Sequence, residues 1–161
     1  MTNLKIRPAR PNDVTRILAF VHALAAYENA EHQVEATEKD IRLALFGEGA
    51  TTHGLICELD GQPIGFAVYF YNFSTWTGKR GIYLEDLFVD PEYRGHGAGK
   101  ALLKYLAQHA LSNDCRRFEW SVLDWNEPSI AFYESLGARP MKEWIGYRID
   151  GEALQQLADS A

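Results

Sequence analysis

Cysteine is scarce: Cys57 and Cys115 are the only two in 161 residues, far apart and each among apolar neighbours. That is too few for a disulfide framework and the wrong spacing for a metal knuckle, so both read as buried, reduced thiols. His22, His32, His53, His96 and His109 form no H-x-x-x-H pair and no Cys/His cluster, which argues against a metal centre. No apolar run approaches the ~20 residues that cross a bilayer. The opening Met1–Ile6 leads straight into patterned sequence without a basic-then-apolar leader. Basic charge is short as well, with 16 Lys and Arg against 22 Asp and Glu and a net charge of −6. Phosphate-backbone binding relies on clustered cations, so nucleic acid is not expected as the partner. These absences together give the expectation of a cytoplasmic protein with neither a membrane nor a nucleic-acid partner; the acidic balance reads first as a device for solubility, with long-range attraction of a cationic substrate as the second reading.

What is present is core-forming material: 47% of the residues are apolar, enough for one domain over 1–161. Leu4–Ala9 alternates apolar and basic side chains and predicts a first strand. Val14, Ile17, Leu18, Val21, Leu24 and Ala25 recur at helical spacing, with Asn12 or Asp13 as cap. Thr37-Glu38-Lys39-Asp40 approximates a capping box for a second helix ending at Phe46-Gly47. Leu55–Leu59 and Ile64–Tyr71, joined through Asp60-Gly61, read as a hairpin, and Ile82–Val89 as another strand. Gly97–Leu111 predicts a helix, Arg117–Leu123 a strand, Pro128–Leu136 a short helix stopped by Gly137, and Trp144–Asp150 a closing strand. The order is β-α-α-β-β-β-α-β-α-β, a mixed α/β arrangement of one sheet with helices.

The chemistry concentrates between the Ile82–Val89 strand and the Gly97–Leu111 helix. There Arg94-Gly95-His96-Gly97-Ala98-Gly99-Lys100 places glycines at alternate positions just before a helix start. Glycines let the backbone turn tightly and bring its N–H groups to an anion, and the helix start adds unpaired amides and a positive dipole end. A nucleotide P-loop fails, because Arg94 stands where its first glycine belongs and Ala101 follows Lys100 in place of Ser or Thr. A dinucleotide fingerprint from Gly95 fails too, because its last glycine would be Lys100. Just upstream, Glu85 and Asp86 interrupt an apolar strand, where a buried charge without a partner is costly. Alternation turns the two to opposite sides, and Glu85 is the candidate functional acid.

Arg94-x-x-Gly97-x-Gly99 resembles the pyrophosphate-binding signature of the GCN5-related N-acetyltransferases, and Asn126-Glu127-Pro128-Ser129 leading to Tyr133 and Leu136-Gly137 looks like that superfamily's second signature. Ile6-Arg7-Pro8-Ala9, Tyr27-Glu28, Tyr83-Leu84-Glu85-Asp86 and Trp125-Asn126-Glu127-Pro128-Ser129 narrow the resemblance to the diamine (spermidine/spermine) acetyltransferases, over nearly the whole chain. The resemblance implies a central, mostly antiparallel twisted sheet with helices on both faces and splayed strands forming a cleft for acetyl-CoA. It implies acetyl transfer to a primary amine of a polyamine-like substrate by direct attack, without a metal, in a homodimer. In that reading Tyr133 protonates the departing thiolate, and Glu85 serves the amine as base or ligand. Tyr27, Glu28, Glu119, Trp120 and Ser121 also line the amine site. Leu87, Phe88, Val89, Arg94, Gly95, His96, Gly97, Ala98, Gly99, Lys100, Asn126 and Tyr133 hold acetyl-CoA. After Gly137 the chain is shorter than in the polyamine enzymes, which leaves thialysine or another small amine or amino acid as an alternative substrate. A non-catalytic acyl-CoA-binding module is the second alternative.

Overall fold

A computed structural model describes residues 3–161, so Met1 and Thr2, which belong to the leader reading, lie outside the described residues. The chain forms two compact units that divide between Leu123 and Asp124.

The first unit is built on a five-stranded sheet: β1 (Leu4–Pro8), β2 (Thr52–Leu59), β3 (Gln62–Ser74), β4 (Lys79–Val89) and β5 (Phe118–Trp120), in that spatial order. The first four pair antiparallel, and β5 joins β4 in parallel. The β2–β3 hairpin turns on Asp60 (φ 50°) and Gly61 (φ 85°). Two left-handed residues in succession match the right-handed twist of the strands, which is why Asp-Gly marks this turn in sequence.

Three helices pack on the sheet: α1 (Val14–Tyr27), α2 (Glu38–Phe46) and α3 (Ala98–Ser112). Ile17 and Phe20 of α1 bury against Ile56, Phe66 and Phe88, with the Phe20 and Phe66 rings stacked at 5.5 Å. From the other face Tyr69 and Tyr71 meet α3, where the Tyr71 hydroxyl lies 2.6 Å from His109 Nε2. Leu102, Leu103, Leu106 and Ala110 supply the buried stripe of α3. Each fully buried aliphatic side chain contributes roughly 1.5–3 kcal/mol.

Local signals at helix starts meet different fates. Thr37 Oγ1 accepts from the Asp40 amide at 3.2 Å and the Asp40 carboxylate accepts from the Thr37 amide at 2.9 Å, the reciprocal box that the sequence announces. Asp13 stands at the cap position of α1 but its side chain does no capping. Its carboxylate instead accepts from the Arg7 guanidinium at 2.7 and 2.9 Å and from the Arg10 amide at 2.7 Å. Arg7 also donates through Nε to Glu58, so one buried cation ties β1, β2 and the approach to α1 together. The Arg7 hydrogen bonds hold the Asp13 carboxyl below the usual carboxylate range.

The second unit carries α4 (Glu127–Ser135) and α5 (Gly151–Asp159). Gly137 ends α4 at φ 95°, with the Gly137 amide donating to Glu134 O at 3.0 Å and the Ala138 amide to Tyr133 O at 3.2 Å, the paired bonds of a left-handed helix stop. The expected closing strand over Trp144–Asp150 is not formed. Alternating apolar residues give strand propensity, but a strand requires a second strand beside it, and among the described residues the sheet does not extend to this segment. Trp144, Ile145 and Tyr147 are accordingly exposed. Beyond them Gly151–Asp159 forms α5, carried by good helix formers such as Glu152, Ala153, Leu154 and Gln155, whereas the elements expected from sequence end at Asp150. The expected strand at Arg117–Leu123 contracts to Phe118–Trp120.

Candidate active site

The site grows from an irregularity in β4. Pairing with β3 runs residue for residue from Gly65↔Val89 to Val68↔Asp86, after which Tyr69 pairs with Leu84. Glu85 is the extra residue of a bulge, a device that re-aims neighbouring side chains. Regular alternation would place Leu84 and Asp86 on one face. With the bulge, Leu84 is buried beside Tyr69 while Asp86 shares the face of Val68, where α1 packs.

Asp86 there meets the end of α1. Its carboxyl is pushed up to about 6, first by burial and then by the charges of Glu85 and Glu28. Burial also raises Glu28. Glu85 projects into solvent. Glu85 is the functional acid expected from the adjacent pair; its neighbour Asp86 is the one whose carboxyl burial perturbs. Two adjacent acids signal that something is unusual, but only the bulge decides which one turns inward.

Tyr27 and Glu28 owe their placement to a tightly built helix end. Asn29 takes a left-handed conformation (φ 59°), its amide donates to Ala26 O at 3.1 Å, and the Ala30 amide reaches back to Ala25 O at 2.8 Å. The guanidinium of Arg94 lies over the Tyr27 ring, 5.5 Å from its centroid. Tyr27, Glu28, Glu85, Asp86 and Arg94 thus come together around the junction of α1, β4 and the loop before α3.

Next to them the sheet opens. β5 follows β4 only as far as Leu84↔Trp120, so from Asp86 to Val89 β4 is paired on its β3 side alone. The Asp90 amide donates to Ile64 O at 2.8 Å. By antiparallel alternation Phe88 also bonds toward β3, and the amides of Leu87 and Val89 point to the open side. Gly65 permits the close β3–β4 approach here, since a Cβ on it would lie 2.6 Å from Phe88 O.

The glycine turn completes this half of the site. Gly95 (φ 87°) and Gly97 (φ 78°) are left-handed, and a Cβ built on Gly95, Gly97 or Gly99 would project into open space. Gly97 is the cap residue of α3, no acid occupies the first turn, and Ala98, Gly99 and Lys100 begin the helix. The first amides of a helix lack intrahelical acceptors and stand at its positive end. Arg94, His96 and Lys100 are exposed around the turn. This donor set, with room before it, fits a pyrophosphate.

Of the remaining candidates, Glu119 lies beside Tyr83 on β5 and accepts from Asn72 Nδ2 at 3.4 Å. Ser121 Oγ is 3.0 Å from the Tyr83 hydroxyl, and the Trp120 ring packs edge-on to Phe118. Asn126 and Tyr133 belong to the second unit. Asn126 is buried and caps α4 by accepting from the Ser129 amide at 3.4 Å; Tyr133 is half-buried, its ring 5.7 Å from that of Phe132. Among the described residues no group of three His, Cys, Asp or Glu is arranged to hold a metal, and no helix is long and apolar enough to cross a membrane.

The acetyltransferase (GNAT) family model matches residues 18–138. This chain belongs to that family. The acetyltransferase is 40% identical to the thialysine N-epsilon-acetyltransferase of Sus scrofa, over 98% of this chain and 99% of that protein. It is 34% identical to spermidine/spermine N(1)-acetyltransferase-like protein 1 of Homo sapiens, over 98% of this chain and 24% of the longer relative. In structure it superposes on an integron cassette protein from the mobile metagenome of V. cholerae with a TM-score of 0.79 and 28% identity, over 98% of both chains. The mixed α/β GNAT fold expected from the sequence is therefore the fold of this acetyltransferase, and acetyl-CoA is the co-substrate that such enzymes use.

Proposed function

We propose that this acetyltransferase transfers the acetyl group of acetyl-CoA to a primary amine of a small cationic molecule, by direct attack while both substrates are bound. The observation that carries the reading is the open stretch of β4 beside the glycine turn that starts α3, with the acids Glu28 and Asp86 close enough for the charge of one to act on the other. Two carboxyls near one another favour an ammonium group between them, and the raised Asp86 regains its ordinary charge when that cation arrives. An ammonium cannot attack, so Glu85, exposed at the bulge, takes its proton directly or through water. Amides of Leu87 and Val89 stand ready for the pantetheine arm and for the developing oxyanion. The backbone of residues 95–100, with Arg94 and Lys100, holds the pyrophosphate. Asn126 touches the co-substrate, Tyr133 donates its hydroxyl proton to the departing thiolate, and Glu119, Trp120 and Ser121 border the amine.

The family model spans the division at Leu123, which supports the reading of residues 1–161 as one acetyltransferase domain. The reading extends to a cytoplasmic homodimer acting on a small molecule, without nucleic acid or membrane. Full-length similarity at 40% to a thialysine enzyme favours a thialysine-like amine over a polyamine, for which the corresponding similarity is 34%. A panel measuring free CoA release with thialysine, lysine, ornithine, putrescine, spermidine and spermine tests the function. Turnover confined to one of these sets the class, and a blank panel alongside measurable acetyl-CoA binding would sink the catalytic reading.

A further inference from the structure

The last turn of α1 reaches toward both ligand regions at once. Tyr27 lies beneath the Arg94 guanidinium of the co-substrate loop, while the charge of its chain neighbour Glu28 acts on Asp86 of β4. We infer that this turn couples the two substrates: Tyr27 is a positioning residue that holds Arg94 for pyrophosphate, so that acetyl-CoA and the amine each raise the other's affinity. The inference rests on the functional reading above.

Arg94 needs such support. It is exposed in a loop between the short 3-10 turn Pro91–Tyr93 and α3. A free arginine there samples many rotamers, whose loss on binding opposes association. A planar guanidinium stacks well on an aromatic face, so a ring beneath it reduces that loss in advance. The two reverse hydrogen bonds and left-handed Asn29 that close α1 join the backbone of Tyr27 to that of Glu28, so that whatever restrains one restrains the other. An amine drawn to Glu28 and Asp86 orders this turn and with it the platform for Arg94. Coupling of this kind is reciprocal by thermodynamic necessity.

The test is calorimetric titration of a thioether analogue of acetyl-CoA, which cannot give up its acyl group, with and without a saturating amine taken from the active members of the panel, together with steady-state kinetics with acetyl-CoA itself, on the parent, Tyr27→Phe, Tyr27→Leu, Arg94→Gln and the Leu/Gln double variant. In the parent enzyme the amine should tighten binding of the analogue roughly tenfold, within the usual range of coupling between sites. Tyr27→Phe keeps the ring and should keep most of that factor. Tyr27→Leu should bring it close to one, raising KM for acetyl-CoA more than it lowers kcat, and should have no additional effect on coupling once Arg94 is Gln. An undiminished factor in folded Tyr27→Leu overturns the inference, as does a Tyr27→Phe loss as complete as that of Leu, which would assign the effect to the hydroxyl. Either result with turnover intact leaves the acetyltransferase reading standing. No turnover with any amine overturns that reading and the coupling with it.

Discussion

Asp86, just past the bulge of β4, stands in the field of Glu28 at the end of α1, and burial raises both carboxyls above their ordinary range. Two strand-and-helix accidents, an extra residue and a left-handed helix stop, bring together groups that are 58 positions apart in the chain, as 86 − 28 shows.

Replacing Asp86 by Asn should separate function from stability. The folded protein raises this carboxyl from 3.8 to about 6, so its charged form opposes folding increasingly as pH climbs through that interval. The Asn variant should match the parent near pH 4 and exceed it above pH 6 by on the order of 2 kcal/mol in urea unfolding. Amine kcat/KM should drop at least tenfold over the same range, and the parent's kcat/KM should decline as pH falls below about 6. A variant no more stable at pH 7 than at pH 4, relative to the parent, would remove the basis for placing Asp86 inside the site.

Glu85→Gln gives the complementary comparison. Because Glu85 is exposed, stability should hardly change, while amine turnover should fall and acetyl-CoA affinity persist. Turnover equal to the parent's would assign Glu85 to the geometry of the bulge alone.

Gly97→Asp should nearly abolish acetyl-CoA binding in a titration. The substitution forces an L side chain into φ 78°, fills the space before α3 and adds negative charge where a pyrophosphate should sit. Gly97→Ala introduces the strain without the charge and should bind with an intermediate loss. Equal affinities for parent and Asp variant would move the pyrophosphate elsewhere.

Tyr133→Phe deletes one oxygen. The contacts that end α4 use the Tyr133 backbone carbonyl, which accepts from Leu136 and Ala138, so the helix stop should survive. Turnover should decrease by roughly 10²-fold with acetyl-CoA affinity retained if the hydroxyl acts as general acid. Weakened affinity with little further kinetic change would make it a packing residue for the co-substrate.

Asp13→Asn should destabilise the fold by roughly 3 kcal/mol at pH 7, because it leaves Arg7 buried with only Glu58 as a charged partner. The Asp13 carboxyl is depressed in the folded protein, so its contribution is complete above the ordinary carboxylate value of 3.8 and is lost as pH falls through the lower folded value. Chemical unfolding of the two proteins should therefore converge in strong acid, with catalysis at pH 7 unaffected wherever the variant is folded.

Much of this protein was decided by short-range chemistry that a single sequence displays. Asp60-Gly61 had to turn because two left-handed residues fit a twisted hairpin, Thr37 and Asp40 had to cap each other, and Gly137 had to stop α4. The glycine turn before α3 was equally legible, since its requirement is local backbone freedom ahead of a helix start. Pairing was another matter. Trp144–Asp150 alternates like a strand and forms none, because hydrogen bonds across strands depend on a neighbour that local pattern cannot supply. Asp13 looks like a cap and serves Arg7, whose stronger charge-assisted bonds come from β1. The inward turn of Asp86 rather than Glu85 follows from one residue of register between β3 and β4, a quantity set by how two strands pack, and only the tertiary structure could settle it.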